Sequence, residues 1–281
     1  MRHICGISGG KDSSALAVYL RERVPQMEYF FCDTGAELPE TYEYLDKLEV
    51  ALGKRIERLN SKKGFEHWFE VYRGTLPSPQ MRWCTVKMKL EPIEAWVGND
   101  EVTSYVAIRA DEINRTGYVS TRPNIRSVFP FVEDGIDKNG VLQILSEAGL
   151  GLPSYYEWRT RSGCYFCFFQ RKAEWIALSE RHPELWERAI AIEQKVMRDA
   201  NSGSEDNTFS DFAMKGRQYT WTGSIPLSDL LLKKDEILKK HEDRLSREQT
   251  RDAMTNRPLW DVLGAALDRE SDEQQCAVCA L

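Results

Sequence analysis

A glycine loop close to the N-terminus restricts the folds open to this chain more than any other feature. A short apolar run, His3–Ile7, leads into Ser8–Ser13, which reads SGGKDS, and a helix-forming stretch continues from Ser13 to Leu20. Two glycines let a backbone turn so tightly that successive N–H groups can point at one anion, and the helix that follows adds its positive N-terminal end. The pattern therefore predicts a strand, an anion-binding loop and a helix. The alternative is an ordinary glycine turn that caps a helix.

The expected anion-binding groups are backbone amides, hydroxyls and one ammonium group. They belong to Ser8, Gly9, Gly10, Lys11, Asp12, Ser13 and Ser14.

Strand-like and helix-like patterns alternate over the first 110 residues. Apolar strand patterns follow at residues 28–32, 55–59 and 102–108, and helical patterns at 39–52 and 64–71. Strands that alternate with helices imply a parallel sheet with right-handed crossovers. We therefore predict an α/β doubly wound parallel sheet for a first domain, residues 1–152. A mostly helical second region, residues 153–281, has helical patterns at 171–181, 183–200 and 227–245.

Polar side chains follow the predicted strands where a parallel sheet binds ligands, at its carboxyl edge. Asp33, followed by Thr34 and Gly35, comes after the second strand, and Arg109 comes after the fourth. An acid such as Asp33 can accept hydrogen bonds from ribose hydroxyls or help to hold Mg²⁺, or it can cap the next helix. Arg109 and Arg115 can clamp phosphate through two N–H groups, or they can be surface salt-bridge partners.

The overall composition favours a globular protein of the cytosol. The chain has 281 residues and a formal net charge of −6, which argues against a protein that coats nucleic acid non-specifically. The sequence has no apolar run of the roughly 18–20 residues that span a bilayer, and its start does not resemble a signal peptide. Seven cysteines in a reducing compartment suggest metal, Fe–S or sulfur chemistry rather than disulfides.

These motifs resemble a known family in four ordered places. The loop resembles the PP-loop of ATP pyrophosphatases, a superfamily with a doubly wound, adenine nucleotide alpha hydrolase-like fold. Residues 33–42 look like a stretch of its phosphoadenosine phosphosulfate (PAPS) reductase branch, and residues 82–87 and 108–115 are similar to later motifs of that branch. The resemblance covers roughly residues 1–175. The same branch contains the subunits of bacterial DNA phosphorothioation systems (the DndC and SspD types).

The resemblance implies an enzyme that uses ATP and Mg²⁺ to adenylate a phosphate oxygen, so that sulfur can replace it. The implied acceptor is DNA, and the implied sulfur donor is a cysteine desulfurase. In such a reaction pyrophosphate leaves, and positioned amides, a lysine and magnesium stabilise the charge that builds on it. The expected catalytic residues are Lys11, Asp12, Ser13 and Arg109.

Three other activities stay open at this point. A PAPS or adenylylsulfate reductase is one, although such enzymes usually end in a Glu-Cys-Gly-type segment that this chain does not have. A tRNA-thiolating enzyme of the same superfamily is the second. A non-catalytic nucleotide-binding subunit that carries an Fe–S cluster is the third.

Five cysteines are candidate metal ligands. Cys164 and Cys167 have the two-residue spacing that lets both thiolates bind one metal or cluster, and Cys276 and Cys279 repeat that spacing. Cys84 lies in the motif that resembles the cluster-ligand region of the family. A [4Fe–4S] cluster on Cys84, Cys164 and Cys167, completed by a tail cysteine or left open at one iron, is one interpretation. Zn²⁺ or a cluster on the two pairs, a metal-free tail pair that carries sulfur or electrons, and incidental thiols are the others.

Overall fold

A five-stranded parallel sheet forms the centre of the first half of the chain. The computed structural model describes residues 1–112, 115, 122–201 and 219–253. The strands are β1 (Arg2–Gly6), β2 (Glu28–Cys32), β3 (Ile56–Leu59), β4 (Val102–Tyr105) and β5 (Ile125–Val128). They are ordered β3-β2-β1-β4-β5, and each neighbouring pair is parallel. The predicted α/β class is confirmed, and β5 is a strand that the sequence patterns did not predict.

Helices flank this sheet. They are α1 (Lys11–Leu20), α2 (Pro39–Leu52), α3 (Phe65–Val71), α4 (Trp83–Thr85), α5 (Glu91–Val97), α6 (Pro130–Glu133) and α7 (Lys138–Glu147). A π-helical turn, Val86–Leu90, joins α4 to α5, and a 3₁₀ turn covers Ser154–Glu157.

The side chains of the central strands point alternately to two separate cores. Cys5 and Phe31 pack in one apolar cluster with residues of α1, α2 and α7. Ile4 and Phe30 pack in a second cluster with Ile93 and Val97 of α5. A strand that is covered on both faces must be apolar throughout, which is why these strands read as continuous apolar runs. Helices on both faces make the sheet doubly wound, as predicted.

The described residues form two compact units. The first contains residues 1–72 and 82–165, and the second contains residues 73–81 and the described residues from Phe166 onward. The first unit ends at Tyr165, and the expected domain boundary at residue 152 stays a prediction.

The second unit is helical in its described part, as expected. Its helices are α8 (Lys172–Arg181), α9 (Pro183–Asn201), α10 (Leu227–Leu230) and α11 (Lys234–Ala253), with a 3₁₀ turn at Leu231–Lys233. Trp221 is fully buried and stacks on Phe166, and its backbone N–H donates to the buried carboxylate of Glu193. None of the helices in the described part of the chain is long and apolar enough to cross a bilayer.

Candidate functional site

The glycine loop is fixed by close packing at both glycines. Gly9 has a φ of +72°, and a Cβ atom added there would lie 2.6 Å from Cγ2 of Thr41 in α2. A Cβ atom on Gly10 would lie 2.9 Å from Oγ of Ser162. Residues with a Cβ atom rarely adopt the φ of Gly9, and a Cβ atom has no room at either glycine. The loop therefore requires glycine for its conformation at Gly9 and for space at both positions.

Hydroxyl groups line the inside of the loop. The Ser8 N–H donates to Oγ of Ser13 at 3.0 Å, and the two serine Oγ atoms are also 3.0 Å apart. Ser162 Oγ donates to Ser8 Oγ at 3.2 Å. Ser14, in contrast, is fully buried in α1. Three serine hydroxyls thus lie side by side next to the start of α1.

Several backbone donors at the start of α1 are available to an anion. The N–H groups of Gly9, Asp12 and Ser13 have no hydrogen-bond partner among the residues that the structure describes. The first N–H groups of any helix lack an intrahelical acceptor, and the helix dipole makes this end positive. The loop therefore has the donors that the sequence predicts for an anion-binding turn.

Charged side chains beside the loop form a continuous chain. Asp12 accepts from Lys11 Nζ at 2.6 Å through one carboxylate oxygen and from Arg109 at 3.0 Å through the other. Arg109 also binds both oxygens of Asp111, at 2.8 and 3.0 Å. Glu112 binds Arg115 at 2.8 Å and lies 3.8 Å from Arg109. The structure therefore brings Lys11, Asp12 and Arg109 into direct contact, as expected from β1 and β4 being neighbours in the sheet.

Arg109 keeps its positive charge in this environment. Burial alone lowers the pKa of its guanidinium, but the hydrogen bond to Asp111 and the charges of Asp12 and Glu112 outweigh burial and raise it. The side chains of Lys11 and Arg109 are 16% and 13% exposed, so both cations are largely removed from bulk water. Charges of this kind, fixed and partly dehydrated, act more strongly on a bound phosphate than solvated ones do.

Asp33 and its neighbours hold the loop that follows β2. Asp33 accepts hydrogen bonds from the Gly35 N–H at 2.9 Å and from the Tyr42 hydroxyl at 2.8 Å. The Thr34 hydroxyl donates to the buried carboxylate of Glu37 at 2.9 Å. These contacts stay within the β2–α2 connection and the first turn of α2, so the structure gives Asp33 a turn-forming role besides any contact with a ligand.

The candidate metal ligands do not form a metal-binding group of three in the described part of the chain. Cys164 Sγ lies 3.1 Å from Thr34 Oγ1 and 3.6 Å from Glu37 Oε1, and Cys84 lies in α4. Over residues 1–112, 115, 122–201 and 219–253, no three His, Cys, Asp or Glu side chains are grouped so as to hold a metal ion. Cys276 and Cys279 lie outside the described residues. The set of ligands therefore stays a prediction.

The sequence patterns did not predict two tyrosines, Tyr155 and Tyr156, that form hydrogen bonds with the backbone of the glycine loop. Tyr155 donates to the Gly9 carbonyl at 2.6 Å, and the Lys11 N–H donates to the Tyr156 hydroxyl at 3.2 Å. Both lie in the 3₁₀ turn Ser154–Glu157, far along the chain from the loop. No motif marks them. Only Pro153, which favours a turn, precedes them in the sequence.

The described part of the chain is thus an α/β protein in which a glycine loop with unpartnered N–H donors follows β1, at the carboxyl edge of a parallel sheet. Residues 2–132 match the family model of the phosphoadenosine phosphosulfate reductase domain. A little under half of the chain is therefore similar to the PAPS reductase domain.

Two relatives illustrate the range of similar proteins. The chain is 28% identical over 194 residues to an uncharacterised protein of Methanocaldococcus jannaschii, a match over 64% of this chain and 39% of the relative. It is 29% identical over 118 residues to the tRNA-specific 2-thiouridylase of Pasteurella multocida, over 37% of this chain and 30% of that enzyme. The chain thus spans well under half the length of these relatives.

A solved structure is similar over more than half of the chain. It is the phosphoadenylyl-sulfate reductase of Candida auris in its phosphate complex, with 15% identity and a TM-score of 0.48. The match covers 59% of this chain and 82% of that one.

Proposed function

We propose that this protein is an ATP pyrophosphatase that adenylates a phosphate oxygen so that sulfur can replace it. One observation supports this most strongly. The unpartnered N–H groups of Gly9, Asp12 and Ser13 in the described part of the chain lie at the start of α1, beside the ion-paired Lys11 and Arg109. Such a site binds two linked phosphoryl groups better than one isolated carboxylate because it offers several donors around one turn.

Each residue of the site has a distinct task in this reaction. The amides and Lys11 hold the pyrophosphate and stabilise the charge that it gains as it leaves. Arg109 provides a second cation, and Asp12 keeps both cations in place because each of its oxygens binds one of them. The attacking group, a phosphate oxygen, is already an anion, so the site needs no general base.

Magnesium suits the carboxylates of this site. One oxygen of Asp33 accepts both of the hydrogen bonds made to that carboxylate by Gly35 and Tyr42, and the other has no partner among the described residues. Carboxylate oxygens are the ligands that Mg²⁺ prefers. Asp33 is therefore the side chain that we expect to join Mg²⁺, which would supply neutralising charge to the phosphates.

The proposed acceptor is a phosphate oxygen of DNA, and the proposed sulfur donor is a cysteine desulfurase. Both follow from the resemblance to the phosphorothioation subunits. We further propose that the five cysteines, Cys84, Cys164, Cys167, Cys276 and Cys279, hold a [4Fe–4S] cluster or Zn²⁺. The described cysteines do not assemble a ligand set by themselves, so no step of the reaction is assigned to a metal on them.

Thiolation of tRNA is the second candidate. It is favoured by the similarity over 118 residues to a tRNA-specific 2-thiouridylase. The two candidates share the adenylation step and differ in the atom that is activated, a backbone phosphate oxygen in one and a base carbonyl oxygen in the other.

The acceptor is identified by giving the protein both nucleic acids. ATP, Mg²⁺, a desulfurase with cysteine, and either plasmid DNA or unmodified tRNA are incubated with the protein, and the digested products are analysed by mass spectrometry. We expect phosphorothioate dinucleotides from DNA in the wild type and none with Lys11→Ala. Lys47→Ala, a change on the exposed side of α2, serves as the matched control and should behave as the wild type. Thiolated uridine with no phosphorothioate would favour the second candidate, and sulfite formation from PAPS without use of ATP would contradict both.

A further inference from the structure

The peptide between Gly9 and Gly10 decides whether the loop presents a donor or an acceptor to an anion. In a trans peptide the C=O and the next N–H point in opposite directions. The Gly10 N–H points to the Ser8 hydroxyl, at 3.3 Å, on the side where the hydroxyls of Ser8, Ser13 and Ser162 gather. The Gly9 carbonyl therefore points away from these hydroxyls. Rotation of this peptide by half a turn would place a carbonyl oxygen among the anion-binding groups.

Neither glycine resists such a rotation by itself. Gly9 has a φ of +72° and Gly10 one of −95°, and a residue without Cβ can adopt both the starting and the rotated conformations. Something outside the loop must therefore hold the peptide.

Tyr155 is placed to do this. Its side chain is fully buried, and its hydroxyl donates to the Gly9 carbonyl at 2.6 Å. Its ring stacks on that of Tyr156, with 4.9 Å between the ring centroids. Burial raises the pKa of the Tyr155 phenol well above its ordinary value, so the hydroxyl keeps its proton and stays a donor.

We infer that Tyr155 is a positioning residue that locks the Gly9–Gly10 peptide with its N–H toward the phosphates. This inference rests on the proposed function, because it assigns a task within the pyrophosphate site. Tyr156 contacts the same loop with the opposite polarity, since its oxygen accepts the Lys11 N–H at 3.2 Å. That contact uses a donor which an anion needs. The two neighbouring tyrosines should therefore differ in their effects on anion binding.

The test measures the binding of pyrophosphate and of adenosine by calorimetry, with Mg²⁺ present. Pyrophosphate requires the loop, and adenosine does not. For Tyr155→Phe we expect the affinity for pyrophosphate to fall about tenfold while that for adenosine stays within about twofold, because the change removes only the hydrogen bonds of the hydroxyl, to the Gly9 carbonyl and to Tyr156. For Tyr156→Phe we expect pyrophosphate to bind as tightly as to the wild type or more tightly. Lys11→Ala should lose pyrophosphate binding and keep adenosine binding.

Each other outcome has a definite meaning. If the wild type binds pyrophosphate and Lys11→Ala does not, but Tyr155→Phe equals the wild type, the peptide lock is wrong and the proposed function stands. If Tyr155→Phe weakens both ligands by the same factor, or if Tyr156→Phe weakens pyrophosphate as much as Tyr155→Phe does, the tyrosines act through packing and the lock is again wrong. If the wild type and Lys11→Ala do not differ in pyrophosphate binding, both the lock and the proposed function fail.

Discussion

At the scale of single residues, Asp12 holds the two cations of the site, Lys11 and Arg109, because each of its carboxylate oxygens binds one of them. Lys11 and Arg109 would repel each other without the carboxylate between them, and both are largely removed from water. A bound polyanion can share the same two cations, so the protein holds them in advance at little cost in reorganisation. The chain of charges continues through Asp111 and Glu112 to Arg115.

The ion pair between Arg109 and Asp111 should make stability depend on pH at acidic values. Burial by itself would raise the pKa of the Asp111 carboxyl, but its hydrogen bonds with Arg109 and the charge of Arg109 outweigh burial and lower that pKa. A lowered pKa in the folded state stabilises the protein above the unfolded value of about 3.9, and this contribution is lost as the pH falls through the folded value. Asp111 is partly exposed, so the effect is modest.

Urea unfolding of the wild type and Asp111→Asn checks this dependence. We expect the wild type to be more stable at pH 7 and the difference between the two to shrink toward zero as the solution is acidified below the unfolded pKa of about 3.9. Asp243→Asn, a change at an exposed carboxylate of α11, should show no such trend. A difference that grows on acidification would contradict the sign of the pKa shift.

The thiol of Cys5 should be chemically inert in the folded protein. Cys5 is fully buried in β1, and burial raises the pKa of its thiol to about 12. The thiolate is the reactive form, and at about pH 7.5 its fraction would be on the order of 10⁻⁴ or less. Brief treatment with iodoacetamide followed by peptide mass spectrometry should therefore leave Cys5 unmodified in the native protein and modify it in urea. Rapid labelling of Cys5 without denaturant would show that β1 is not the buried central strand described here.

At the scale of elements, the conformation of the glycine loop depends on packing against α2 as well as on the β1–α1 connection that contains the loop. Thr41 of α2 closes one side of the loop at Gly9, and Ser162, from a segment far along the chain, closes the other at Gly10. The sequence predicts the tight turn at Gly9 and Gly10, because two glycines before a helix form a clear local pattern. It does not predict Thr41, Tyr155 or Ser162 as loop contacts, because their positions depend on chain segments that meet only in the folded protein.

The missed strand has a similar explanation. β5 is only four residues long, and its sequence, Ile-Arg-Ser-Val, has no apolar run. It lies at the edge of the sheet, where only one neighbour is needed and the side chains are less buried. β3 is also a four-residue edge strand, but its Ile56 and Leu59 are buried, whereas β5 has no buried residue. An apolar pattern therefore finds β1 to β4 and overlooks β5.

Replacement of Gly9 by Ala tests the packing of the loop against α2. The φ of +72° costs about 1 kcal/mol for Ala, and the contact of 2.6 Å with Thr41 adds about 1–3 kcal/mol. Gly53→Ala, with a φ of +62° and no atom within 4 Å of the added Cβ, is the matched control and should lose only the first contribution. Free energies of unfolding from urea titrations give both values.

A second replacement isolates the contact itself. Thr41→Ser removes the methyl group that the added Cβ atom of Gly9→Ala would meet. It should therefore restore about 1 kcal/mol or more to the Gly9→Ala protein when the effect of Thr41→Ser alone is subtracted. If the two changes are additive, Gly9 and Thr41 are not in the contact described here.

At the scale of the whole molecule, the parallel sheet determines where the candidate site lies. The loop follows β1, the Asp33 turn follows β2 and Arg109 follows β4, so three connections meet at one carboxyl edge. This could be predicted, because alternating strands and helices fix both the parallel sheet and its ligand-binding edge. The division of the chain at Tyr165 could not, because the segments that follow β5 have no pattern that assigns them to one unit or the other.

The products made from ATP show whether the loop holds pyrophosphate as a leaving group. A site that holds two linked phosphoryl groups as a leaving group must cut between the α- and β-phosphates. Phosphorus NMR of a reaction that contains the wild type, ATP, Mg²⁺, a sulfur source and the nucleic-acid acceptor should show pyrophosphate and AMP, and neither should form with Lys11→Ala. Formation of ADP and orthophosphate by the wild type, at a rate that Lys11→Ala reduces, would show that the enzyme cuts between the β- and γ-phosphates and is not an ATP pyrophosphatase.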